Sequence, residues 1–516
     1  MITMQHPPRA ETRRTPRLAA LARGAPWLLL LAVLAAAILR TDSAHAGRVA
    51  KLSAEGSAPP AVDAHSPTGY ALGQRHFLGT HERGETFRRI AATQHVLAEG
   101  PLAAKPASDN VPLARVEPGP RLYTAWLSAV AWAIHAVTDE PVALAAERVA
   151  LWEPVLTHLL AFGAAVWLGW IRFGPRGAAV LGLVFALFPP VLVQFLPGVL
   201  GPRTWALLFA GAALLPRRTD AGSLPSPVAV SRDGAVLSAL ALWLAPSIGF
   251  PVVLIAALSG AAAVAAGQAR VPFLTWSGLG AAVTVAAWLI DRSPWDLSAG
   301  ELRYVHPLYA FAWLGLGLAL DGWQRARADG ARRLWPVLGI TGGTVLVAGL
   351  ASVQWKHGYS GWLYPTAALR RLSSLDETRV FSHAGEWLMH APGAETLLVL
   401  APVLAALALL GVSWQHARQE SAASRLDLAL AGVPWLIVVG FALLQVRLWV
   451  LAVLLALPLI LGLLDRLPVA VRRAAALAAG ACLLVLILGE GRLPTTLRRS
   501  ADAVEPGPRD VQALVD

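Results

Sequence analysis

The sequence predicts an all-α, polytopic integral membrane protein with about 13 transmembrane helices. Three observations lead there. Mean hydropathy is +0.55 and only 15% of residues are charged. Charge-free apolar runs such as Ala235–Leu244, Leu314–Leu320 and Thr396–Leu410 recur along the chain. Arginines gather in the short loops between those runs, where basic residues set topology. With their flanks, many runs reach the roughly 20 residues that a helix needs to cross a bilayer. Period-2 alternation is missing and lipid cannot satisfy an open backbone, so helices are the spanning option.

The elements follow in order. A basic N-terminus (Arg9, Arg13, Arg14, Arg17, Arg23) precedes "APWLLLLAVLAAAIL" and then "AHAG". Residues 1–40 therefore hold either a first transmembrane helix or a signal peptide cleaved after Ala46. Either way the next segment, 41–147, is delivered outside the cytoplasm as a first large loop. Its one apolar island, Leu122–Val137 with Trp126 and Trp132, reads as an interfacial or re-entrant helix. Were it to cross, every later basic loop would face outward.

Central spans are expected at 148–170, 177–196, 203–215, 234–247, 250–267, 271–290, 305–321 and 335–352. A second large outer loop, 353–394, separates them from spans at 395–412, 428–444, 447–464 and 473–489, and 490–516 is a short polar tail. Cytoplasmic loops then carry Arg172 and Arg176; Arg217, Arg218 and Arg232; Arg270; Arg325, Arg327, Arg332 and Arg333; Arg418 and Arg425; and Arg466, Arg472 and Arg473. This places the N-terminus in the cytoplasm and the C-terminus outside a bacterial-type inner (plasma) membrane.

Several function classes drop out. The net charge of +11 is not a nucleic-acid signal, because much of it lies in topology-setting loops. Cys482, the single cysteine, sits inside the last apolar run, so there is no disulfide framework and no thiolate metal site. His65, His76, His81 and His95 match no ligand spacing. No midplane acid pair or paired broken helices suggest a transporter. Two large outer loops point instead to a site at the outer surface acting on a lipid. Its candidate groups are Asp63, Glu82 and Glu85 in the first loop, and Asp376, Glu377, His383 and Glu386 in the second.

The stretch "ERGETFRRIAATQHVLAEGP" carries Glu82 six residues before the basic pair Arg88 and Arg89 and ends at Gly100–Pro101. It resembles the first-loop signature of the catalytic subunit of oligosaccharyltransferases, integral membrane glycosyltransferases of the GT-C fold. The likeness continues through the apolar island, "PVLTHLLAFGAAVWLGWIRFGPRGAAVLGLVFALFPPVL", "PSIGFPVVLIAAL" and "LLQVRLWVLAVLLALPLILGLL". It implies sugar transfer from a polyprenyl phosphate- or pyrophosphate-linked donor. Such transfer needs a carboxylate for the acceptor and positive charge for the leaving phosphate.

On this likeness Glu82 takes the first acidic place and Glu386 another, as catalytic groups or metal ligands. Arg447, Arg203 and Arg88 fall to the donor phosphate. The second acidic place falls on "PGVLGPRTW", where Gly201 and Arg203 stand and no acid is present. Two scattered glutamates make a poor site for Mg or Mn. Arg203 either pairs with phosphate directly or snorkels at the interface. The alternative to an enzyme is a catalytically silent GT-C-like protein that binds polyprenyl lipid or scaffolds an envelope complex. The family's soluble outer domain with its Trp-Trp-Asp motif is not in this sequence, so glycosylation of Asn sequons is not expected.

Overall fold

The computed structural model describes residues 16–55, 60–74, 76, 83–100, 107–108, 115–116, 119–215, 230–266, 271–291, 304–329, 342, 393–419, 422–444, 448–467 and 469. Helices dominate. In chain order they are α1 (Pro16–Glu55), α2 (Arg83–Glu99), α3 (Arg121–Thr138), α4 (Val142–Leu187), α5 (Pro189–Leu192), α6 (Pro202–Leu214), α7 (Arg232–Leu244), α8 (Pro246–Ala265), α9 (Phe273–Asp291), α10 (Pro307–Asp329), α11 (Gly393–Gln419), α12 (Ala422–Leu444) and α13 (Trp449–Arg466). One short ribbon, β1 (Ala107–Ser108) antiparallel to β2 (Arg115–Val116), interrupts the first loop.

Proline marks most of the starts. Pro189, Pro202, Pro246 and Pro307 open α5, α6, α8 and α10, while Pro120, Pro141 and Pro272 stand just before α3, α4 and α9. Its fixed φ suits the first helical turn, where a missing N–H leaves nothing unsatisfied. α7 starts differently, with Ser231 accepting from the Gly234 N–H at 3.0 Å.

By length and composition seven described helices can cross a membrane: α1 over Trp27–Lys51, α4, α8, α9, α11 over Val399–Gln419, α12 over Ser424–Leu443, and α13. α4 is in fact two spans' worth of helix. At Gly174 (φ 73°, ψ −166°) it turns back on itself, a backbone region almost reserved for glycine. The limbs pack antiparallel so closely that a Cβ on Gly169 would lie 2.8 Å from the Gly177 carbonyl oxygen. Farther up, His158 Nε2 meets the Phe185 carbonyl at 2.7 Å. The expected spans 148–170 and 177–196 are these two limbs, although the second ends at Leu187.

A short turn produces a further hairpin. α7 and α8 are joined by Ala245 alone, with Gly249 against the Leu242 backbone. α9 and α10 pack antiparallel, Gly280 beneath the Trp313 indole and Gly317 against Ser277. Small residues at such crossings let apolar helices approach where lipid supplies no hydrophobic drive between them. α11, α12 and α13 pack on one another, and α13 also touches α4 and α6. Apart from residue 342, the expected spans at 335–352 and 473–489 lie outside the described residues, so the described helices do not by themselves give the count of about 13.

α1 runs unbroken through Ala44–Ala46, the proposed cleavage motif. Leu34, Ile38, Asp42, Ala46 and Val49 are buried, and α1 packs along α4. The expected island helix is α3, which packs along the first turns of α4, with Trp132 exposed.

Candidate functional site

At the end of the bundle opposite the Gly174 bend, the start of α2 docks on the loop that leads into α6. Thr86, fully buried in the first turn of α2, donates through Oγ1 to the Gly198 carbonyl at 3.2 Å. The same Oγ1 accepts from the Leu200 N–H at 3.1 Å. Two segments more than a hundred residues apart thus meet through one hydroxyl. They are the two that the family likeness assigns to the first and second acidic places.

The loop is held from below as well. Pro154 inside α4 has no N–H, so the Ala150 carbonyl lacks its usual intrahelical donor. The Gly198 N–H takes that place at 2.8 Å. Ala150 lies about 36 Å along the helix from Gly174, at 1.5 Å rise per residue. That slightly exceeds the roughly 30 Å of a hydrocarbon core and puts this loop at one membrane boundary.

Beside Pro154, Glu153 carries a buried carboxyl group. Its Oε1 accepts from Thr157 Oγ1 at 2.7 Å, Trp126 Nε1 at 3.0 Å and Trp205 Nε1 at 3.3 Å. The two indoles, one from α3 and one from α6, meet edge to face with centroids 5.4 Å apart. Three helices therefore converge on one oxygen. Glu153 is not among the residues that the family likeness singles out, although an acid inside an apolar run next to a proline is a signal in the chain itself.

The first loop is anchored around this junction. Gln94 of α2 donates to the Thr68 and Ala143 carbonyls at 3.3 and 2.9 Å. The His76 N–H donates to Glu147 Oε1 at 3.0 Å. Tyr70 is buried nearby, and burial, reinforced by the Glu147 charge, pushes its hydroxyl up to about 12. Asp291, at the end of α9, accepts from the first N–H of α3, that of Arg121, at 2.8 Å, as an acid suits a helix N-terminus.

Among the expected site residues, Arg88 is exposed on α2, two residues beyond Thr86, and Arg203 is exposed in the first turn of α6. Both belong to the junction's two segments. Gly201 is the residue before α6, in extended conformation (φ −165°), and a Cβ there would meet nothing within 4 Å. The missing acid is thus not excluded by crowding. Among the described residues no three His, Cys, Asp or Glu side chains gather as a metal site. Glu82, Glu386 and Arg447 lie outside the described residues.

No family model and no curated protein sequence matches the chain. Solved structures do. The apo oligosaccharyltransferase of Archaeoglobus fulgidus aligns with a TM-score of 0.51 at 15% identity, over 91% of this chain and 56% of its own. The same enzyme tethered to an acceptor peptide containing the NVT sequon gives 0.52 at 15%, over 94% and 58%. Its complex, as AglB, with an inhibitory peptide and a dolichol-phosphate gives 0.52 at 15%, over 93% and 56%. The chain spans a little over half the length of these enzymes, and what it shares with them is the fold: a helical membrane protein resembling the GT-C oligosaccharyltransferases.

Proposed function

We propose that the chain is a membrane glycosyltransferase that moves a sugar or oligosaccharide from a polyprenyl (pyro)phosphate-linked donor at the outer face of the inner membrane. The observation that carries this reading is the junction of α2 with the loop before α6. It brings the segment following Glu82 against the segment containing Gly201 and Arg203, within a fold similar to an enzyme solved with dolichol-phosphate.

In this reading an acceptor nucleophile attacks the anomeric carbon of the donor, and the bond from that carbon to the phosphate oxygen breaks. The electron pair leaves with the phosphate, and Glu82 accepts the proton lost by the nucleophile. Arg203 and Arg447, with Arg88 at the edge, balance the phosphate charge through guanidinium hydrogen bonds. Glu386 supplies the second carboxylate. Hard divalent ions take several oxygen ligands, and glycine at 201 leaves the residues short of a set for Mg or Mn.

The test is donor turnover in membranes supplied with a sugar-charged polyprenyl phosphate. Glu82→Gln is expected to lower it by about 100-fold or more, the usual size of a general-base contribution. Unchanged turnover in that variant removes Glu82 from the reaction. Donor binding without turnover by the wild type would return the chain to the role of a silent lipid-binding protein.

A further inference from the structure

We infer that the dipeptide Glu153–Pro154 is a positioning device for the donor site, setting where the 198–205 segment stands. This rests on the transferase reading above. Adjacent residues of α4 hold two successive parts of one segment by different means. Pro154 frees the Ala150 carbonyl, which accepts from the Gly198 N–H at 2.8 Å. Glu153 Oε1 accepts from the indole of Trp205, in the first turn of α6, at 3.3 Å. Gly201 and Arg203 lie between these two fastenings.

The same oxygen takes Trp126 of α3 and Thr157 of α4, so α3 and α6 are registered against one atom. Trp205 packs at a tilt against Phe209 and meets Trp126 edge to face, which fixes the rotation of the first turn of α6. From above, Thr86 closes the loop onto α2. A proline and an acid are both unfavourable inside a membrane helix unless neighbours satisfy what they disturb. Here the disturbed groups bind the very segment that carries Arg203.

The two substitutions separate positioning from plain stability. Pro154→Ala restores an N–H for the Ala150 carbonyl and makes α4 a better helix, yet it takes away the partner of Gly198. In full-length protein in lipid nanodiscs, amide exchange over 196–202 is expected to rise by about tenfold, with no fall in melting temperature. The KM for a sugar-charged polyprenyl phosphate rises several-fold, with kcat changing less.

Glu153→Leu is expected to speed exchange in the first turn of α6 and raise the same KM by about tenfold. Glu153→Gln keeps an acceptor oxygen for the indoles and rescues both readings to within about threefold. Unaltered exchange over 196–202 in Pro154→Ala overturns the inference, as does faster exchange with an unchanged KM. If the wild type turns over no donor, the transferase reading fails, and exchange alone then decides whether the dipeptide sets the segment.

Discussion

His158 illustrates how a single buried ring can tie two elements. Its Nε2 faces the Phe185 carbonyl at 2.7 Å, and its Nδ1 faces Asp42 Oδ2 at 2.6 Å. A carbonyl only accepts, so Nε2 carries a hydrogen, and a further proton must lie between Nδ1 and the carboxyl group. The ring also stacks on Phe195, centroids 4.4 Å apart and planes 4° from parallel. Removing one member leaves the other buried and unpaired, which in comparable pairs costs about 3–5 kcal/mol. His158→Ala and Asp42→Ala should each lower the melting temperature in detergent markedly, and the double variant by less than their sum. Additive losses would mean that the two side chains do not act as a pair. Tyr70 supplies a pH signature: its hydroxyl is held up at about 12, above the ordinary 10.0. Its folded state favours the proton, so its contribution is complete below pH 10 and lost as pH rises toward 12. Protease nicking near residues 60–74 should accelerate in that window in the wild type and not in Tyr70→Phe.

Among the elements, the α4 hairpin depends on three glycines for different reasons. Gly174 supplies the backbone angles of the bend, and any side chain there should destabilise by about 1–3 kcal/mol. Gly169 and Gly177 supply closeness. A Cβ on Gly177 would lie 2.3 Å from Phe173 Cβ and 2.9 Å from the Gly169 carbonyl oxygen. Gly177→Val should therefore harm folding yield, whereas Gly163→Val, with nothing within 4 Å of the added Cβ, should not. Equal yields for both would show that the limbs do not need this approach. α1 makes a prediction of the same kind. Ala46 is buried within an unbroken helix packed on α4. Intact mass of the purified protein should thus include residues before Ala46, and a product beginning at Gly47 would contradict the role of α1 in the bundle.

For the molecule as a whole, charge and helix direction agree. Arg172 caps the end of α6 through the Ala212 and Leu215 carbonyls, and Arg327 reaches the Ala265 carbonyl at the end of α8. Both helices end on the side of the Gly174 bend, where the partial negative charge of a helix C-terminus welcomes a cation. Near that bend, Arg176 pairs with Asp465 at 3.7 Å, and Arg466 bonds Asp427. The basic loops of the sequence and the helix C-termini of the fold therefore mark one face, expected to be cytoplasmic. With Cys482 replaced by alanine, Arg203→Cys should react with an impermeant thiol reagent in intact spheroplasts, and Arg327→Cys only after permeabilisation. The reverse pattern would invert the topology and place the α2–α6 junction in the cytoplasm.

The helix positions were legible in the chain because apolar length, prolines at starts and arginines in loops are local signals. The expected spans 203–215, 234–247, 250–267, 271–290 and 428–444 fall on α6, α7, α8, α9 and α12. The charged run after Glu82 and the glycine at 201 could likewise be singled out from residue type and likeness. What no local pattern contains is which distant groups meet. Thr86 with Gly198 and Leu200, Pro154's orphaned carbonyl with Gly198, and Glu153 with Trp126 and Trp205 are joined only when α2, α3, α4 and α6 pack. Hydropathy fixes how deep each segment lies, since burial of apolar area depends little on direction. Hydrogen bonds in lipid are directional and costly to leave unmade, so the partners of the polar groups are decided by tertiary structure alone.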